Sequence, residues 1–273
     1  MSDGINIIGA TRLYPIVGDP IAQVRSPTTI TNGLAAKGLN AICIPAHVPR
    51  DRFDAIVPAL LAMPNIDGIL VTVPFKARML AFADRLSKAA KTVEAVNALR
   101  READGSWTGD MFDGLGFVRG AERKGQTIRE RRVVLYGAGG AGSAIAYALA
   151  DAGARSIDIV DVDERRARAL ADKLKAAFSG CAIAAATRFP NGADMVVNAS
   201  PIGMRPDDGL PAEIPKLDPR TLVGDVVITA KPTAIIRHAV ACGCAYVDGG
   251  DMHAGQVDAI TDFFVPVAQP RNR

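Results

Sequence analysis

The sequence predicts an α/β protein built from two α/β domains. Apolar, β-rich runs alternate with alanine-rich helical spacing along almost the whole chain, the pattern of βαβ units with mostly parallel strands. The alternation is interrupted at residues 105–117 and restarts at Arg132. At 273 residues, 49% of them hydrophobic and 22% charged, the chain has material for one large core or two ordinary ones.

The first strand is predicted over residues 13–17, closing on a turn at Gly18-Asp19-Pro20. A helix should start near Ser26-Pro27, because serine caps a helix N-terminus and proline suits the first turn. Strands at 41–45 and 68–73 follow, separated by a helix with Phe53, Ile56, Val57, Leu60 and Leu61 at helical spacing. Trp107, ahead of Thr108-Gly109, reads as hairpin packing. The second half predicts strands at 133–136, 156–162, 195–198, 222–227 and 245–248. A last helix from about Gly250, carrying Phe263, Phe264 and Val265, is expected to pack back on the first domain. The expected domains are 1–113 together with 250–273, and 114–249.

A net charge of +3 without a dense basic cluster argues against a nucleic-acid partner. Four cysteines suggest no disulfide framework, and Cys242-Gly-Cys244 lacks the second ligand pair of a metal site. No run approaches a membrane span and no leader segment is evident, so a cytoplasmic protein is expected. The sequence leaves monomer and homodimer equally open.

Tyr136-Gly137-Ala138-Gly139-Gly140-Ala141-Gly142 follows a strand and opens a helix, the context in which G-x-G-x-x-G marks a dinucleotide site. Gly137 permits the tight turn, Gly139 lets a pyrophosphate approach the backbone, and Gly142 allows close helix–strand packing. The helix N-terminus then offers N–H groups and a positive dipole end to phosphates. Asp161 stands at the end of the next strand, where an acid binds an adenosine ribose diol. Its charge repels a 2′-phosphate by about 1–4 kcal/mol at ~4 Å, which favours NAD. Arg165, Arg166 and Arg168 lie just beyond, so NADP stays open as the alternative. A bare glycine turn and a flavin site are the competing readings. The second domain is predicted to be a Rossmann domain.

Val71-Thr72-Val73-Pro74-Phe75-Lys76 puts a lysine just past a strand end, where open α/β sheets hold ligands. Taken alone it reads more simply as a surface lysine. Four more segments change that: Ala95-Val-Asn97-Ala-Leu99, Gly109-Asp110-Met-Phe-Asp113-Gly114-Leu-Gly116-Phe117, Asn198-Ala-Ser200-Pro201-Ile-Gly203-Met204 and Gly249-Gly-Asp-Met252-His-Ala-Gly-Gln256. With the loop from Val17 to Pro27, their order closely resembles the shikimate dehydrogenase family over nearly the whole chain.

The resemblance implies an α/β substrate domain and a Rossmann domain with the active site in the cleft between them. It implies hydride transfer between NAD(P)H and the C3 position of 3-dehydroshikimate, some members using quinate, aminoshikimate or another cyclic hydroxy acid. Lys76 and Asp113 would be the catalytic pair, with Asn97 and Gln256 on ring hydroxyls and Thr72 and Ser26 lining the substrate site. Asn198, Ser200 and Met204 would join Gly137–Gly142 and Asp161 at the cofactor. The chemistry agrees: a protonated lysine suits a developing alkoxide, a carboxylate holds the amine, and amides pair with hydroxyls in both directions. No metal is needed.

The chain also departs from the family pattern. Val24 replaces the first serine of S-x-S-P, a trait of a divergent branch, and Leu70 replaces an asparagine. Met111-Phe112 replace the N-T before the acid, and Ile228 a tyrosine. Arg25, whose guanidinium fork matches a carboxylate, is the expected substitute for the missing hydroxyl. His253, beside the Gln256 motif, reads as structural. A catalytically silent NAD(P)-binding regulator is the competing reading, and retention of Lys76, Asp113, Asn97 and Gln256 argues against it.

Overall fold

The protein is described by a computed structural model over residues 6–22, 24–190 and 192–265. The chain divides into two compact units, one running through Phe112 and resuming at Val257, the other spanning Asp113–Gln256.

The first unit contains β1 (Arg12–Gly18), α1 (Ser26–Ala36), β2 (Ala41–His47), α2 (Phe53–Ala62), β3 (Gly68–Val71), β4 (Arg85–Leu86), α3 (Lys88–Val93), β5 (Ala98–Arg101) and β6 (Trp107–Asp110). Its sheet order is β2-β1-β3-β5-β6-β4. β2, β1 and β3 run parallel, whereas β5 pairs antiparallel with both β3 and β6. One apolar cluster gathers Tyr14, Ile16, Ile30, Leu34, Leu70 and Phe112 with Ile260 and Phe264 from the end of the last helix. Phe264 stacks on Tyr14 with ring centroids 4.7 Å apart. Gly68 leaves room for the pair, since a Cβ there would lie 2.5 Å from the Phe264 ring. The expected return of the last helix to the first unit is therefore a matter of buried aromatic packing.

The second unit contains α4 (Asp113–Arg123), β7 (Arg132–Tyr136), α5 (Gly140–Asp151), β8 (Ser156–Val160), α6 (Glu164–Ala177), β9 (Ala182–Ala185), β10 (Met195–Asn198), β11 (Leu222–Asp225), α7 (Ala234–Ala241), β12 (Tyr246–Val247) and the first half of α8 (Gly249–Phe264). All of its sheet pairings are parallel, in the order β12-β11-β10-β7-β8-β9. The connections run one way from β7 to β9 and the other way from β10 to β12. That is the doubly wound arrangement with its switch point between β7 and β10.

Two local expectations are corrected. Ser26 is not a cap: Arg25 holds the N-cap position without a side-chain bond, and Ser26 lies inside the first turn with Pro27 behind it. A hydroxyl inside that turn no longer precedes the free N–H groups it would cap. Strands β3, β8 and β11 end two residues earlier than predicted. After β8 and β11, carboxylates take over the backbone bonds, Asp161 accepting from Asp163 N–H and Asp225 from Val227 N–H. Strand β4, only Arg85-Leu86, and strands β5 and β9, whose residues show no apolar alternation, were not read from sequence. β6 was legible only through Trp107, which lies opposite Arg101 with the guanidinium 4.5 Å from its ring.

Candidate functional site

In the second unit the glycine loop sits at the switch point, and packing explains each glycine that matters. Gly137 has φ +100, and a Cβ there would lie 2.8 Å from the Ala199 carbonyl. A Cβ on Gly142 would lie 1.9 Å from the Gly137 oxygen. Gly139 and Gly140 are exposed and open, with no atom within 4 Å of a would-be Cβ, and Gly139 is an N-cap without a side-chain bond. The first N–H groups of α5 thus have no capping side chain, and the backbone there is open to an anion. Asp161 accepts the Ala138 N–H at 2.7 Å on one oxygen and the Asp163 N–H at 2.9 Å on the other. The predicted ribose acid also fixes the glycine loop. These residues fit a dinucleotide.

The other face of the switch point is held by a buried polar network. Asn198 Nδ2 donates to Asp225 Oδ1 and to the Ile202 carbonyl, both at 2.9 Å. Its Oδ1 accepts from Ser200 Oγ at 2.6 Å and from Ser200 N–H at 3.2 Å. An amide engaged in all four directions has nothing left for a ligand. Asn198 therefore shapes the loop that carries Ser200 and the exposed Met204, and its expected direct contact with the cofactor is not supported. Asp225, fully buried, also accepts from Thr233 Oγ1, and burial pushes its carboxyl above the ordinary range. Sequence reasoning missed this role for Asp225 and Thr233. The signal was an acid ending an apolar strand.

At the start of the same unit Gln256 Nε2 donates to Asp113 Oδ1 at 2.6 Å. Asp113 is 4% exposed and opens α4. The helices carrying the two residues touch through glycine: a Cβ on Gly116 would lie 2.7 Å from Gln256 Cβ, and one on Gly255 would lie 2.3 Å from the Gly116 oxygen.

In the first unit Thr72 and Lys76 lie past the end of β3, and Asn97 immediately before β5. Thr72 N–H donates to the Val17 carbonyl at 2.9 Å, which joins the ends of β1 and β3. Lys76, half-buried, follows the turn closed by Phe75 N–H to the Thr72 carbonyl and by Phe75 packed on Phe53 at 4.5 Å. The Lys76 carbonyl accepts from Val96 N–H, next to Asn97. Asn97 is buried, and its Oδ1 accepts the Phe112 N–H at 2.9 Å. Ser26 is half-buried and Arg25 exposed at the head of α1. Among the described residues no group of three or more His, Cys, Asp or Glu side chains is placed to hold a metal ion. No described helix is long and apolar enough to cross a membrane.

Comparison with known proteins matches residues 16–99 to the family described as shikimate dehydrogenase substrate binding domain, and residues 115–171 to the ThiF family. A shikimate dehydrogenase (NADP(+)) of Rhodospirillum rubrum is 34% identical over 266 residues, covering 92% of this chain and 91% of its own. The chain belongs to the shikimate dehydrogenase family. Among solved structures, shikimate 5-dehydrogenase of Listeria monocytogenes in complex with shikimate and NAD superposes with a TM-score of 0.88 at 27% identity, covering 95% of this chain and 93% of that one. Ligand-free 5-ketofructose reductase of a Gluconobacter strain gives 0.86 at 28% identity, covering 94% and 93%.

Three departures from the common shikimate dehydrogenase pattern have one physical destination. Leu70 and Phe112 are buried in the Tyr14–Phe264 cluster, and Val24 packs against it. Phe112 also meets Phe263 with ring centroids 5.2 Å apart. Residues that read from sequence as lost polar partners are here part of the first unit's apolar core.

Proposed function

We propose that the protein interconverts 3-dehydroshikimate and shikimate, as an NAD(P)-dependent dehydrogenase acting on a CH–OH group with NAD as the preferred nucleotide. The observation that carries the reading is the fitted glycine loop and Asp161 at the switch point, in a chain of this family. When bound, the reduced nicotinamide supplies the hydride to the substrate carbonyl. The chain's part is the proton. Lys76 donates N–H to the oxygen on which charge develops and delivers the proton there, and Asp113 holds the amine. Gln256 orients the Asp113 carboxylate and, with Asn97, offers amide groups to the neighbouring hydroxyls. Ser26 and Thr72 line the substrate, and Arg25 at the head of α1 pairs with its carboxylate.

The test is oxidation of shikimate, with quinate and aminoshikimate beside it, followed at the reduced-nicotinamide absorbance with NAD and with NADP. Turnover of shikimate that is lost in Lys76→Ala while substrate binding persists supports the reading. Tight NAD binding without turnover of any of the three acids overturns it. An unchanged KM in Arg25→Ala removes Arg25 from the substrate site.

A further inference from the structure

Outside the residues assigned above, the carboxyl ends of β1 and β2 carry a cluster that sequence reasoning passed over. Asp19 Oδ1 meets His47 Nε2 at 3.0 Å, and Asp19 Oδ2 accepts the Arg50 N–H at 3.3 Å with the Arg50 Nε 3.8 Å away. The carboxyl is held below its ordinary range, chiefly by the His47 hydrogen bond. The Arg50 carbonyl in turn accepts from Arg78, which pairs with Asp54. The backbone of Asp19 faces the other way, its N–H donating to the Val73 carbonyl at 3.0 Å. Gly18 permits this approach, because a Cβ there would lie 2.4 Å from Thr72 Cγ2 and 3.1 Å from the Val73 oxygen. Val48 N–H closes the set on the Gly18 carbonyl at 3.2 Å.

We infer that Asp19 is a positioning residue, whose side chain pins the end of β1 to that of β2 and thereby fixes the turns that present Ser26 on one side and Thr72 and Lys76 on the other. The inference rests on the proposed shikimate reaction only for its kinetic readout. Asp19 stands between the strand end leading to α1 and the β3 turn. His47 and Arg50 are the groups that fix its direction. Without them the Asp19 N–H loses its aim at Val73, and two substrate-facing segments move independently. The predicted loss falls on substrate binding and not on NAD, whose loop lies in the other unit.

The experiment compares Asp19→Ala, Asp19→Asn, His47→Ala and His47→Gln with the unsubstituted protein. Asp19→Ala raises KM for shikimate about three- to tenfold, the range left for a charge-assisted bond at a partly exposed site, lowers kcat because the Lys76 turn loosens with it, and leaves KM for NAD unchanged. His47→Ala raises KM less, and His47→Gln, which keeps a donor, recovers part of that rise. Amide hydrogen exchange of the unliganded protein is measured in parallel. It should quicken in Asp19→Ala at residues 72–76 and 24–30 together, and less in Asp19→Asn. If Asp19→Ala does not fold, His47→Ala and Asp19→Asn carry the same comparison. Unchanged exchange at both segments overturns the inference, as does a parallel rise in KM for NAD. Should the unsubstituted protein fail to turn over shikimate, the functional proposal falls and exchange alone decides the role of Asp19.

Discussion

Gln256 donates to Asp113 at 2.6 Å because glycines on α4 and α8 let the two helix backbones meet. A methyl at Gly116 would lie 2.7 Å from Gln256 Cβ and 2.9 Å from its backbone nitrogen, so the helices must part and the hydrogen bond with them. Gly116→Ala should lower kcat by up to about 10²-fold, the scale of an ångström-sized misplacement of a catalytic group. Gln256→Ala should lower it less, because the helix crossing survives. Steady-state kinetics with both variants orders the two effects. A kcat in Gly116→Ala equal to that of the unsubstituted protein would falsify the link between crossing and catalysis.

Lys76 and Asp113 are proposed to act as one unit, and units are non-additive. Lys76→Met and Asp113→Asn should each lower kcat by about 10²–10⁴-fold, the usual contribution of a positioned proton donor. The double variant should be little worse than either alone, with NAD affinity unchanged by calorimetry. Losses that multiply would mean two independent roles.

What the sequence made legible follows from where its signals are strongest. Strand β7 and the glycine turn are consecutive in the chain and Asp161 follows the next strand at the spacing such a turn requires, so their roles could be read before any packing was known. The Asn198–Asp225–Thr233 network could not, because its members are 27 and 8 residues apart and meet only when β10 and β11 pair. Val24, Leu70 and Phe112 were legible as departures. Their common cause is a cluster completed by Ile260 and Phe264 from the far end of the chain. Asp19 read as a turn residue and His47, beyond the strand expected at 41–45, was given no role, since an aspartate before proline and a lone histidine carry no pattern of their own.

Asp161 should govern the choice between nucleotides. Its carboxylate repels a 2′-phosphate, and it also holds the Ala138 and Asp163 N–H groups. Asp161→Asn keeps an acceptor for the loop and removes the charge. KM for NADP should therefore fall and KM for NAD rise, shifting the preference by roughly one to three orders of magnitude for a repulsion of about 1–4 kcal/mol. Measuring kcat/KM for both nucleotides checks this. A ratio that stays where it was would show that another residue sets the preference.

The amino ends of β7 and β10, which pair across the switch point, are tied by Arg132 and Asp194. The guanidinium donates from Nε and Nη2 to the two carboxylate oxygens at 2.8 and 2.9 Å, and the Arg132 N–H donates at 3.0 Å. Arg132, through its side-chain bond first, holds the Asp194 carboxyl down to about 2. The folded value lies below the unfolded one of about 3.9, so the unfolded state binds the proton first. The stabilisation is then present above the unfolded value and is lost as pH falls from about 4 through about 2. Asp194→Asn should be less stable than the unsubstituted protein at neutral pH, and the gap should narrow on acidification through that window. Urea unfolding at a series of pH values reads the gap directly. A difference that stays constant from neutrality down to the acid limit of folding would mean that the fork contributes by shape alone and not by charge.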